Sequence, residues 1–167
     1  MADNLRFRAV MSGKALASQR WAHWHEGVHA RYRQLTTEWG MKFFAFQTQR
    51  DENYAMQVKL ARHGLAPKAK CKFSFKYGDR RFYGFLTEVV EVMEKLRWEE
   101  KRRYFNGGDK SHELSEVMQQ AKKVLGCNVY DMHSGNYGLL RGKVVLIDFS
   151  TMTDELYRRG VCTAEHR

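Results

Sequence analysis

A chain of 167 residues is the size of one ordinary domain and too short for two independent cores, and its 43% hydrophobic and 13% aromatic content excludes a disordered chain. A single proline excludes a proline-rich linker, and without any run of about 18 apolar residues no membrane-spanning helix is expected. The net charge of +10 is spread along the chain; it favours contact with nucleic acid, phosphorylated ligands or an acidic protein surface, or marks nothing more than a basic soluble protein.

Residues 1–20 are weakly patterned and lack the apolar stretch of a signal peptide, although their Arg, Ser and Ala content superficially resembles a transit peptide. His23, His25 and His29 follow, but without a defined helix their spacing is a poor metal signature. Residues 27–35 alternate as a strand does, and the aromatic-rich run 39–46 reads as its hairpin partner. A helix is expected over 51–63. Tyr54, Ala55, Val58, Leu60 and Ala61 would form its apolar stripe, Asp51 its cap or first-turn acid, and Gly64 its stop, with Pro67 beyond.

Strands are expected at 71–75 and 81–92, turning at Tyr77-Gly78-Asp79. A charged helix at 94–104 is broken by Asn106-Gly107-Gly108-Asp109; its Lys and Arg run would be a solvated face or a contact for an acidic partner. A second helix is expected at 111–125, opened by Ser111 and Glu113 and ended by Gly126. Its buried face would be Leu114, Val117, Met118, Ala121, Val124 and Leu125. Residues 138–140 and 144–147 are two short strands around a turn at 141–143, and the tail 151–167 is polar. The order predicts an α+β fold with a mostly antiparallel sheet at the front, as a single domain of three parts, 25–93, 94–150 and the tail. Cys71, Cys127 and Cys162 form no CxxC pair, so neither a zinc site nor a disulfide framework is signalled, and reduced thiols of a cytosolic protein are the simplest account.

The chemistry concentrates in 129–150. Asp131 is followed five residues later by Asn136, and an apolar strand then ends in Asp148-Phe149. Magnesium takes oxygen ligands, and Asn136 and Asp148 are oxygen donors that two loops can bring together. Asp131 is then left to orient and deprotonate an acceptor hydroxyl. The alternative for Asp131, His133 and Asn136 is a polar turn capped by its own side chains.

This segment resembles the protein-kinase-like superfamily, and its Asp-Met-His-Ser-Gly-Asn loop is most similar to that of the early serine/threonine kinases of short-tailed lytic bacteriophages. The resemblance runs over about residues 25–150 and implies a truncated kinase-like fold: an antiparallel sheet lobe with one helix, then a reduced helical lobe carrying the catalytic-loop hairpin. It implies ATP and Mg²⁺ as cofactors. Asp131 would be the base, with His133 beside it, and Asn136 and Asp148 the metal ligands. Lys42 would reach the phosphates, paired with Glu52. Gly27 would lie in the phosphate-covering loop, Thr87 near the gatekeeper position, and the backbone of Glu88 to Val90 against adenine.

Read without the resemblance, Lys42 is a strand lysine whose stem lies on apolar surface, and Glu52 an acid favouring a helix start. The chain departs from the family in three places: around Gly27 there is no second or third glycine, Ser150 stands where glycine usually follows Asp-Phe, and only the tail follows where a helical subdomain for substrate docking is usual. Three functions stay open: an active kinase of host proteins in the host-cell cytoplasm, a pseudokinase that binds a host protein or nucleic-acid machine, and, from His133, a small-molecule phosphotransferase.

Overall fold

The computed structural model describes residues 31–130, 132–148 and 150–151. The N-terminal arm, Gly27, the three N-terminal histidines, Asp131, Phe149, Cys162 and the tail beyond Thr151 lie outside the described residues. The chain divides into two compact units, one taking in the residues up to Ala55 together with Ala69–Val89, the other Met56–Lys68 and the residues from Val90 on. Where length pointed to one core, the described residues gather around two hydrophobic clusters, one in each unit.

The first unit is a four-stranded antiparallel sheet in the order β1-β2-β4-β3, formed by β1 (Arg31–Gln34), β2 (Trp39–Phe44), β3 (Ala69–Tyr77) and β4 (Arg80–Glu88). Thr36 makes the β1–β2 turn, its Oγ1 accepting from the backbone N–H of Glu38 and Trp39. Side chains alternate across β2. Met41 and Phe43 join Phe75, Phe82 and Leu86 in an aromatic cluster, where Phe43 meets Phe75 edge-on at 5.5 Å. Lys42 and Phe44 point to the other face, where Phe44 stacks on Phe85.

Tyr54 of helix α1 (Gln47–Ala61) packs edge-on against Phe85 at 5.3 Å. Strand β3 carries one extra residue: Lys70 faces Leu86 and Phe73 faces Gly84, so the ladder slips between them, with Cys71 in a left-handed conformation (φ 54°). The strand expected from residue 71 therefore begins at Ala69 and runs through a bulge.

Helix α1 begins four residues before the expected start. Its first turn, Gln47-Thr48-Gln49-Arg50, is polar but includes the good helix formers Gln and Arg, which a search for apolar spacing passes over. Asp51 is consequently neither a cap nor a first-turn acid; it bonds Arg50 and Lys72. The other end is as expected: Gly64 adopts φ 70°, its N–H bonds the Ala61 carbonyl, and the Leu65 N–H bonds that of Leu60. Leu60 and Leu65 then meet in the second unit's cluster, the apolar contact that accompanies this helix end.

The second unit holds a 3-10 turn (Met93–Lys95), helices α2 (Trp98–Tyr104) and α3 (Ser111–Leu125), and two small antiparallel sheets. One sheet orders β5 (Glu91–Val92), β7 (Tyr137–Leu140) and β8 (Lys143–Leu146) as β5-β7-β8; the other pairs β6 (Val129–Tyr130) with β9 (Ser150–Thr151). Helix α3 has the expected bounds and buries Leu114, Val117 and Ala121, ending at Gly126 with φ 75°. Its N-cap, however, is Lys110, and no side chain caps it.

Three expectations change here. The apolar stretch 81–92 is not one strand. The Val89 N–H bonds the Glu38 carbonyl and ends β4, and β5 then pairs in a different sheet. A run of β-branched residues cannot show where a chain changes partners. The helix expected at 94–104 is likewise interrupted, because Leu96 and Arg97 are extended (ψ 152° and 151°). The turn between β7 and β8 is tighter than expected: Arg141 and Gly142 both take positive φ, 51° and 77°, forming a two-residue hairpin loop.

Candidate functional site

In the first unit the candidate residue is Lys42. Its side chain is buried (6% exposed) on the sheet face that carries Phe44, and Nζ donates to Asn53 Oδ1 at 3.0 Å. Glu52, which the sequence pointed to, is exposed. Asn53 was missed because the helix face was read from apolar residues alone. The stripe that actually turns inward is Arg50, Asn53, Tyr54, Gln57 and Leu60, spaced three and four apart and mostly polar. Arg50 is buried and donates to the Phe73 carbonyl at 2.9 Å, which fastens the helix to the sheet. Ala55 of the expected stripe is exposed.

Cross-strand register places Tyr32 beside Lys42, and Thr87 beside Gly40. A Cβ on Gly40 would collide with the Tyr32 ring, so the glycine allows the phenol to lie over β2. Burial raises the Tyr32 pKa above the usual phenol value. Thr87 is buried, and Glu88 closes β4 half-buried. At Asp51 desolvation pushes the carboxyl up, but hydrogen bonds from Lys72 and Arg50 outweigh it, and the group titrates below the usual carboxylate range.

In the second unit the candidate loop is 132–136. The pairing of Val129 with Thr151 and Tyr130 with Ser150 brings the chain before Asp131 alongside the chain after Phe149. The loop then turns: the Asn136 N–H bonds the His133 carbonyl at 2.8 Å, and the Gly135 N–H bonds His133 Nδ1 at 3.1 Å. The Asn136 carbonyl accepts from the Ile147 N–H at 2.9 Å and from the Asp148 N–H at 3.5 Å. Asn136 (9% exposed) and Asp148 are thus joined across the β7–β8 hairpin. Tyr137 follows, buried; its hydroxyl donates to Met118 Sδ and its ring meets Phe105 edge-on. Desolvation raises the Tyr137 pKa. His133 is exposed, and Val90 packs over Gly138.

The sequence-level set is therefore divided. The structure brings together Asn136 and Asp148, with His133 in the same turn, and it anchors Lys42 on α1 through Asn53. Gly27 and Asp131 lie outside the described residues. Among the described residues no three His, Cys, Asp or Glu side chains gather into a metal cage, and no helix is long and apolar enough to cross a membrane. No protein-family model and no curated protein matches the chain.

Proposed function

We propose that the chain is a reduced protein-kinase-like phosphotransferase of the bacteriophage type, transferring the ATP γ-phosphate to Ser or Thr of host proteins in the host-cell cytoplasm. The observation that carries this reading is the Asn136 carbonyl, which accepts from the N–H groups of Ile147 and Asp148 and so couples the two residues offered as metal ligands. Both are oxygen donors, the kind Mg²⁺ takes, so the residues present fit the metal. The element order supports the same reading: a strand lysine, a helix that contacts it, two more strands, then helices leading into the 131–136 loop and its hairpin.

Each residue then has a role. Asn136 and Asp148 would hold Mg²⁺, which when bound neutralises charge on the triphosphate. Lys42 presents its ammonium to phosphate oxygens, and Asn53 orients it. The backbone at Glu88 to Val90 meets adenine. The Asp131 carboxylate takes the proton from the acceptor hydroxyl. A second reading is favoured by one feature: around Gly27 there is no second or third glycine to cover the phosphates. On that reading the fold is a pseudokinase, binding a host protein or nucleic-acid machine through its +10 charge.

The deciding experiment incubates the purified chain with radiolabelled ATP, Mg²⁺ and host lysate beside Asp148→Ala. Labelled bands lost in the variant are expected. Absence of label, together with no stabilisation by MgATP in a thermal melt, would overturn the kinase reading in favour of the binding module.

A further inference from the structure

Beside the candidate loop the second unit holds an open cavity of about 480 Å³, within the size range of ligand sites. One wall is α2, with Trp98, Lys101 and Arg102; another is the candidate loop, with Met132, His133 and Ser134. Among the described residues no carboxylate lines it. Trp98 is 68% exposed, an unusually large aromatic surface to leave in water.

The basic residues of α2 and its approach are not equivalent. Arg97 pairs with Glu100, and Arg103 holds Asp109 through two hydrogen bonds of 3.2 and 2.8 Å. Arg102 has no carboxylate partner among the described residues. Its guanidinium lies over the Trp98 ring at 5.3 Å. A guanidinium stacked on an aromatic face keeps its in-plane N–H edge for a bidentate carboxylate. Lys101 gives one proton to the Glu94 carbonyl and has two more to donate. The Glu94 carboxylate lies 3.0 Å from where a Gly135 Cβ would stand.

We infer that this cavity docks an acidic stretch of the acceptor peptide, close to the Ser or Thr that is phosphorylated. The inference rests on the kinase reading, because the loop forming the wall directly follows Asp131 in sequence. At about 3.3 Å per extended residue, a peptide side chain seated here lies within a few positions of the acceptor hydroxyl. Helix α2 supplies the basic contacts. A short acidic cluster fits better than a polynucleotide. Two cations bounded by Glu94, Glu99 and Glu100 suit two or three carboxylates, whereas a phosphate backbone needs a continuous basic track.

The test uses the full chain and three acceptor peptides differing only in the residues flanking one serine: Asp/Glu, neutral or Lys. Fluorescence anisotropy of the labelled peptides measures binding without catalysis, and phosphate transfer is followed in parallel. The acidic peptide is expected to bind about tenfold more tightly than the Lys peptide, with KM following. Arg102→Glu should abolish or invert that preference. Arg80→Glu, the same charge change on the exposed end of β4, should keep it.

Preferential binding that Arg102→Glu removes, without any phosphate transfer, would uphold the docking site while the kinase reading fails. Phosphate transfer with equal KM for all three peptides would overturn the docking site while the kinase reading stands. Tighter binding of a single-stranded RNA, lost in Arg102→Glu, would also overturn it. Circular dichroism of both variants shows that lost preference is not lost fold; should Arg102→Glu misfold, Arg102→Gln read on the same ratio decides.

Discussion

Lys42 in the first unit is oriented by another side chain, Asn53 Oδ1, whereas Asn136 in the second is fixed by its own backbone, through bonds to His133, Ile147 and Asp148. The surroundings differ in the same way. The first unit packs aromatic rings between strands and against α1; the second packs mostly aliphatic side chains around α3 and the β7–β8 hairpin, with Tyr104 and Tyr137 among them. A residue held by a side chain is lost when its partner is truncated. A residue held by its main chain keeps its place when its own side chain changes. Lys42 and Asn136 should therefore respond differently to mutation.

The largest effects test whether the units are separate at all. Phe85 and Leu146 are each almost fully buried, one in each unit. Phe85→Ala should cost about 3–5 kcal/mol, and Leu146→Ala about 2–5 kcal/mol. Hydrogen exchange should show protection falling in β2 and β4 for the first variant and in α3 and β8 for the second. Equal loss of protection across both units in either variant would mean one cooperative core, and the contrast would collapse.

The middle-sized effect sharpens the contrast. Asn53→Ala removes a hydrogen-bond acceptor that α1 offers the buried ammonium, and should cost about 1.5–3 kcal/mol, measured by denaturant titration. Asn136→Ala keeps the carbonyl that serves Ile147 and Asp148, so those two amides should stay protected from exchange. Rapid exchange at both in Asn136→Ala would show that the side chain, not the backbone, holds the loop.

The smallest effect is pH-dependent and confined to the first unit. The Asp51 carboxyl is held low by Lys72 and Arg50, so its contribution is present at neutral pH and is lost as pH falls through its lowered folded value, below about 4. The Tm gap between the protein and Asp51→Asn should be open at pH 7 and close in acid. A gap unchanged between pH 7 and pH 2 would assign the effect to packing.

Composition, spacing and turn chemistry determined much of this in advance. The α+β class, the helix 111–125 with its Gly126 stop, the Gly64 helix end and the β7–β8 hairpin follow from local rules: a glycine that alone adopts positive φ cheaply, and an apolar residue every three or four positions. The proximity of Asn136 and Asp148 was also legible, because a short hairpin leaves the residues at its two ends side by side.

Tertiary structure decided the rest. The inward face of α1 is mostly polar, so hydrophobicity could not reveal that Asn53 turns towards Lys42. The break at Val89 and Val90 separates two sheets that compete for one apolar run, and pairing with Glu38 on one side and with β7 on the other settles it. The cavity over Trp98 and Arg102 required α2 to be cut free from the turn before it and set against the loop at 132–134. Each is a choice of partner across long sequence separation, and local sequence carries the propensity of a segment but not the identity of what it packs against.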